Sequence, residues 1–469
     1  MLRFMLFLHE RGPLQMRKKE KNRMKSEQYI NSVLNQVKEK NAEQPEFIQA
    51  VSEVFYFLPP VLEEHPDYEK MNILRRMVEP DRVIDFRVTW EDDQGNIQVN
   101  RGYRVQFNSA LGPYKGGLRF RKSVNLSVMK FLSFEQCFKN ALTTLPLGGA
   151  KGGSDFDPHG RSDREVMRFC QSFMTELYRH IGPDMDVPAG DVGVGEREIG
   201  YLFGQYRRIR NTFEGVLTGK GLTYGGSLVR TEATGYGLCY FVREMLASRG
   251  ESMEGKRVLI SGSGNVAIFA CEKAQELGAT VLTMSDSSGY VCDPDGIDLA
   301  LVKRIKLEER GRLSAYVEER PKAVYTAKAR PWREKGDIAL PCAIQGELDL
   351  DDAVALSANG VRIVAEGANM PCSWEATRYF LDHGVSFAPG KASNAGGVAC
   401  SGLEMSQNSE HLSWPFEKVD GRLSKIMQEI YSEASETAKR YGFEGNLMAG
   451  ANITAFLKLA EAMLSQGIY

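Results

Sequence analysis

Residues 256–286 read KRVLISGSGNVAIFACEKAQELGATVLTMSD, and no other stretch narrows the possible fold so far. An apolar run, a glycine-bearing turn, a helical pattern and a second apolar run follow in that order. This succession predicts a strand, a helix and a second strand in one βαβ unit. Within the turn, Gly262, Gly264 and Ala267 make a G-x-G-x-x-A pattern. The first glycine permits a tight reversal, the second lets a pyrophosphate near the backbone, and Ala267 allows close helix packing. The helix N-terminus then offers unpaired amides and partial positive charge to phosphate oxygens. Asp286 ends the second strand, where an acid ordinarily meets a ribose hydroxyl and favours NAD. Against that, Ser287 and Ser288 offer hydroxyls, and Arg304, Lys306 and Arg310 follow closely enough to approach a 2′-phosphate. These residues leave the choice between NAD and NADP open.

Strands and helices keep alternating through DIALPCA, VRIVAEGANMP and VSFAPG, the pattern of a parallel α/β sheet. The character changes near residue 225. Upstream, residues 27–78 carry apolar positions at helical spacing until Pro59-Pro60 breaks them. VIDFRVTW and IQVNRGYRVQFN alternate as strands around an EDDQGN turn, and SVMKFLSFEQCFKNALTTL and DREVMRFCQSFMTELYRHIG read as helices. The tail from Arg422 is helical again. A chain of 469 residues has room for two or three such domains.

Three lysines upstream stand in unusual settings. Lys115 in SALGPYKGGLRF and Lys151 in LPLGGAKGGSDFDP sit among glycines, in segments that read as loops or crowded backbone. Lys139 shares a helix face with Gln136, one turn away. Convergence of the three would combine burial with like-charge repulsion and lower at least one ammonium pKa. A lysine so tuned serves as a general base, while its neighbours bind carboxylates. The glycines around Lys151 would let backbone close against bound molecules. Lys151 is not a P-loop lysine, because Ala150 and Gly152 stand where glycine and a hydroxyl residue are required. Asp191 lies in a further glycine-rich loop, PAGDVGVG, before a helix.

Charge and cysteine usage narrow the partners. With 59 basic and 61 acidic side chains, bulk charge gives no basis for nucleic-acid binding. Eight cysteines without a C-x-x-C pair predict reduced thiols in a cytoplasmic protein, and dispersed histidines predict no metal site. No apolar run reaches spanning length, so no membrane partner is expected. In residues 1–24 a short apolar patch precedes a basic run, the reverse of a secretory signal, and the segment reads as a disordered extension.

Seven segments in order resemble hexameric glutamate dehydrogenase: GPYKGGLRF, EQCFKNALTTLPLGGAKGGSDFDP, PAGDVGVGEREIG, EATGYG, GSGNVA, AEGANMP and NAGGVACSGLEMSQNS. The resemblance spans residues 25–469. It implies an α/β chain with an N-terminal substrate-binding and oligomerisation domain (25–225), a Rossmann-like dinucleotide domain (226–440) and a C-terminal helical segment (441–469) returning to the first. It also implies a homohexamer acting on glutamate, 2-oxoglutarate and ammonium. By the same resemblance, Lys151 and Asp191 are catalytic. Lys115 and Ser401 hold the side-chain carboxylate, Gln136 and Lys139 the α-carboxylate, and Gly190 and Val398 line the substrate. Gly262, Ser263, Gly264, Asn265 and Val266 form the coenzyme turn with Asp286 and Ser287, while Thr234 and Asn369 approach the nicotinamide end. SDSSG resembles the NADP-dependent bacterial type. His159, however, stands where some of those enzymes have lysine, so NAD or dual use stays open. Relatives acting on apolar amino acids replace the counterparts of Lys115 and Ser401, and both residues are present here.

Overall fold

The computed structural model describes residues 23–468. The expected disordered extension therefore lies outside the described residues except for Arg23 and Met24, which begin a helix over 23–40. The chain divides into two compact units. One comprises the residues up to Ala141, Pro146–Thr212 and those from Ala455 on; the other comprises Leu142–Leu145 and Phe213–Thr454.

The change from one unit to the other falls at Phe213, whereas the sequence expectation set it at 225. The Lys220 ammonium is buried and donates to Glu404 Oε1 (2.8 Å) and Asn408 Oδ1 (2.9 Å), and the Gly219 amide reaches Glu404 Oε2 at 2.8 Å. Those bonds hold residues 213–225 in the second unit. At the other end the return falls at Ala455 rather than 441, inside the helix Leu447–Ser465. Within the first unit the tail is tied down where Arg76 donates to Gly467 O (2.9 Å) and Gln466 to Ala110 O (2.6 Å). Helix Leu447–Ser465 also corrects the membrane reading, being long and apolar enough to span by length and composition. Its most apolar window is 72% buried within the protein, which is where its hydropathy comes from.

The first unit holds a five-stranded sheet of β1 (Arg82–Glu91), β2 (Ile97–Asn108), β3 (Tyr114–Phe120), β4 (Gly149–Ser154) and β5 (Asp186–Gly190), in the order β1-β2-β4-β3-β5. β1 and β2 form the expected hairpin, closed by Asp92, whose carboxylate accepts the amides of Gln94 and Asn96 (both 2.9 Å). β3, β4 and β5 run parallel. Helix Asp163–Leu177 starts at a reciprocal Ser162–Glu165 cap and buries Val166, Phe169, Phe173 and Leu177 on one side. Phe169 stacks on Phe156 with ring centres 3.8 Å apart and meets Phe120 edge-on, which roots the C-terminal ends of β3 and β4 in an aromatic core.

The second unit holds a seven-stranded sheet of β6 (Arg257–Ile260), β7 (Thr280–Asp286), β8 (Gly289–Cys292), β9 (Val324–Ala327), β10 (Ile338–Leu340), β11 (Ile363–Ala365) and β12 (Ser386–Ala388). Its order is β12-β11-β10-β6-β7-β8-β9. β8 and β9 are antiparallel, so the sheet is mixed rather than wholly parallel. The cause is local: only Ser287 and Ser288 separate β7 from β8, far too few residues for a crossover. The chain moves outward from β6 through β9 and then returns to β10 on the other side of β6. Sheets of this kind bind ligands at that reversal, beyond the carboxyl ends of the strands.

Candidate active site

In the first unit, β3 lies between β4 and β5, with Leu118 level with both Gly152 and Gly190. This register places Gly117 between Lys151 on β4 and Asp191 just past β5. Lys151 Nζ lies 3.1 Å from Asp191 Oδ2, and Arg119 Nε donates to the same oxygen at 2.9 Å. A side-chain carbon on Gly117 would stand 2.8 Å from Asp191 Cβ and 3.2 Å from Lys151 Nζ. Bare backbone at 117 is what allows the pair to meet across the strand. The side chains are 6% and 14% exposed, so solvent does little to screen them.

Burial lowers the Lys151 pKa below the ordinary lysine value; Asp191 opposes that shift, and Arg119 and Arg104 reinforce it. Burial alone would raise the Asp191 carboxyl, but Lys151 and Arg119 outweigh it and hold the group well below the usual carboxylate range. The cations acting most strongly on Lys151 are Arg119 and Arg104 rather than Lys115 and Lys139. Asp191 in this arrangement is an anion, able to accept a proton or hold an ammonium group.

Arg104 is fully buried on β2 opposite Gly152, with Nε 2.9 Å from Asp186 Oδ2, a second contact from Nη2 to Asp186 Oδ1, and Nη1 3.1 Å from Gly116 O. The glycines flanking Lys151 are filled by the protein itself. Added side-chain carbons would strike Cys137 at Gly149, Tyr103 O at Gly152 and Arg119 O at Gly153. Their role is close packing of β4 against β2, β3 and the helix Leu126–Leu142, not a surface kept open for bound molecules.

Lys115 and Lys151 both lie on strands, not loops, and Lys115 is fully buried. Gln136 and Lys139 are half-buried on helix Leu126–Leu142. That helix crosses β3 at Gly116, where an added side-chain carbon would stand 3.2 Å from Gln136 Cγ. Asn140, which the sequence reading passed over, links the two: it accepts from Gln136 Nε2 (2.7 Å) and donates to Lys115 O (3.1 Å). Lys115, Gln136, Gly190, Lys151 and Asp191 thus line β3. Lys139 stands one turn beyond Gln136.

In the second unit Gly262 follows β6 with φ +87°, and a side-chain carbon there would lie 3.1 Å from both Ala343 Cα and Cys342 O. Gly264 caps the helix Asn265–Glu276, and nothing stands within 4 Å of the corresponding position. Ser263 is half-buried and Asn265 exposed, so this tip of the turn is open to a ligand. Val266 turns inward, 3.2 Å from the position a side-chain carbon would take on Gly367. It shapes the turn by packing.

Asp286 is already engaged, accepting from the Ser288 amide (2.8 Å) and the Leu313 amide (2.9 Å), with Lys306 Nζ 3.6 Å away. Arg312, not singled out from the sequence, donates to Ser287 Oγ at 2.7 Å. Of the three bases expected nearby, Lys306 is in place, Arg304 pairs with Glu309 and Glu319, and Arg310 is exposed. An exposed serine hydroxyl beside a lysine and an arginine at the end of β7 fits a phosphate ester on the ribose.

Elsewhere in this unit Thr234 Oγ1 stands 2.6 Å from where a side-chain carbon on Gly397 would be, so Thr234 adjoins Gly397, the residue before Val398, at the start of helix Gly396–Glu410. Ser401 lies one turn on, buried, its hydroxyl without a hydrogen-bond partner among the described residues. The exposed Asn369 is met by Asn394 Nδ2 at 3.2 Å.

A switch-point dinucleotide turn in one unit and a tuned amine–carboxylate pair in the other define a nicotinamide-nucleotide-dependent oxidoreductase. The chain belongs to the glutamate/leucine/phenylalanine/valine dehydrogenase family, whose nucleotide-binding region matches residues 225–467 and whose dimerisation domain matches residues 80–208. It is 58% identical to the NAD(P)-specific glutamate dehydrogenase of Xylanibacter ruminicola, over 93% of this chain and 99% of that protein. It is also 58% identical to the NADP-specific glutamate dehydrogenase of Escherichia coli K12, over 94% and 98%. The crystal structure of Plasmodium falciparum glutamate dehydrogenase superposes with a TM-score of 0.93 at 51% identity, covering 95% of this chain and 96% of that one.

Proposed function

We propose that this protein is a glutamate dehydrogenase that interconverts L-glutamate, water and oxidised coenzyme with 2-oxoglutarate, ammonium, reduced coenzyme and a proton, preferring NADP and accepting NAD. The observation that carries this reading is the buried Lys151–Asp191 pair bridging the bare backbone of Gly117. Glutamate has two carboxylates and needs two polar grips. Lys115, Gln136 and Lys139 supply cationic and polar grips in the first unit. In the second unit the buried Ser401 hydroxyl has no hydrogen-bond partner among the described residues and is able to donate to a carboxylate. Gly190 ends β5 beside Asp191 in the first unit, and Val398 stands in the first turn of helix Gly396–Glu410 in the second.

A bound nicotinamide coenzyme would supply the acceptor for hydride from the substrate Cα, which would leave the substrate as an iminium. Neutral Lys151 then removes a proton from the water that attacks the iminium carbon, and Asp191 accepts and returns protons at the amine nitrogen. A lysine can act so only if its pKa is brought down, which burial and the two arginines do. Thr234 and Asn369 would flank the nicotinamide end, and Gly262, Ser263, Gly264 and Asn265 would hold the pyrophosphate.

The preference for NADP is supported by the occupied Asp286 and by Ser287, Lys306 and Arg312 beside it. Arg312→Ala should raise the KM for NADPH about tenfold, roughly 1.4 kcal/mol, and leave that for NADH nearly unchanged. Equal effects on both coenzymes would place Arg312 outside the phosphate site.

The chain assembles as a homohexamer and acts in the cytoplasm in ammonium assimilation. Assembly is supported by the open edge of β1, on which Val83 is exposed, and by exposed Ile97 and Val99 on β2, all within the span of the dimerisation-domain match. The cytoplasmic setting is supported by eight free thiols.

Oxidation of NADPH and of NADH should be followed in parallel with 2-oxoglutarate and ammonium, and glutamate compared with leucine in reverse. The reading requires turnover dependent on both 2-oxoglutarate and ammonium, faster with NADPH. Preferential leucine oxidation would defeat it.

A further inference from the structure

At the chain reversal of the seven-stranded sheet, the loops after β6 and β10 converge on one buried carboxylate that the reaction does not use. Glu347 is 5% exposed. Its Oε1 accepts the Ser261 hydroxyl and the Ala343 amide, both at 2.9 Å, and the Ser261 hydroxyl accepts the Cys342 amide at 2.9 Å. Ser261 directly precedes the coenzyme turn and is wholly buried. Gly262 is pressed against Cys342 and Ala343, and its amide is taken by Ser285 Oγ at 2.7 Å.

The turn is therefore pinned from two sides. Ser285 holds it to the end of β7, and Glu347, through Ser261, holds it to the loop after β10. Burial pushes the Glu347 carboxyl above the ordinary glutamate value. Burying a carboxyl costs free energy, and here the return is a fixed spacing between two loops. Without that anchor, Gly262 and the amides that follow it would be free to shift relative to the helix axis of Asn265–Glu276. Pyrophosphate binding requires those donors to be aimed beforehand.

We propose that Glu347 is a positioning residue for coenzyme binding, acting through Ser261 to set the Gly262 turn. The inference rests on the coenzyme reading of that turn. Because pyrophosphate is common to NADPH and NADH, its loss should weaken both alike, unlike loss of Arg312.

The test measures NADPH and NADH dissociation constants by fluorescence titration of the full-length protein, together with steady-state constants, for Glu347→Ala, Glu347→Gln, Ser261→Ala and the double alanine variant. Glu347→Ala should weaken both coenzymes ~10-fold, with kcat and the KM for 2-oxoglutarate within ~2-fold of the unmodified protein. Glu347→Gln keeps an acceptor oxygen and should stay within ~3-fold, whereas Ser261→Ala should match Glu347→Ala and the double variant add less than ~2-fold more. Unchanged coenzyme affinity in Ser261→Ala, which deletes one hydroxyl and should fold even if Glu347→Ala does not, overturns the proposal. So does an equal rise in the KM for 2-oxoglutarate. Failure of the unmodified protein to bind either coenzyme would instead overturn the reading of the turn itself.

Discussion

Replacing Lys151 with alanine should lower turnover by about 10³–10⁴-fold, the range expected when a positioned proton-transfer group is removed. The fold should survive, because Asp191 keeps Arg119 as a partner at 2.9 Å and is not left as an isolated buried anion. Light scattering should therefore report the same mass for the variant as for the unmodified protein. Coenzyme affinity should also hold, since the Gly262 turn belongs to the other unit. Turnover within tenfold of the unmodified protein would remove Lys151 from the chemistry. A fall in that mass alongside the loss of activity would make it a structural residue.

Asp191→Asn should lower turnover at least about 10²-fold and also move the pH profile, which separates its two effects. Asp191 raises the Lys151 pKa against the pull of burial. Removing the anion takes away that opposition, so the Lys151 pKa falls further. A base works when deprotonated, and kcat/KM rises with pH through its pKa. The acidic limb of the profile should accordingly shift to lower pH in Asp191→Asn, even as the maximum drops. A limb that stays in place, or moves to higher pH, would show that Lys151 is not the group titrating in the unmodified enzyme. The pair is coupled, so the limbs belong to it jointly in the unmodified protein, and the variant isolates the amine.

How far the chemistry could be read from sequence differed between the two units. The coenzyme turn was legible because its parts are neighbours in the chain: Gly262, Gly264 and Ala267 act through their own backbone and the helix they begin. The motifs of the first unit pointed to Lys115, Lys151 and Asp191 but misjudged their setting. Glycine is depleted in strands, so KGG and GGAKGGS read as loops. Both are strands whose glycines are required by close neighbours, Ala150 and Asp191 at KGG and Cys137, Tyr103 and Arg119 at GGAKGGS. Arg104 and Arg119 went unrecognised because Asp186 and Asp191 lie 82 and 72 residues further along the chain. Arg312 and Glu347 were hidden for the same reason, being 25 and 86 residues from the serines they bond.

By itself, the sequence determined what short-range geometry controls: the βαβ turn, the capped amphipathic helices, the hairpin at Asp92, and the kinds of groups available for catalysis. Tertiary structure alone decided which cations surround Lys151, that Asp191 is held as an anion, that Asp286 is occupied, and where one unit gives way to the other. The reason is physical. Backbone preference is a matter of adjacent residues, whereas desolvation and Coulomb interaction depend on distance in space, and folding sets that distance independently of separation along the chain.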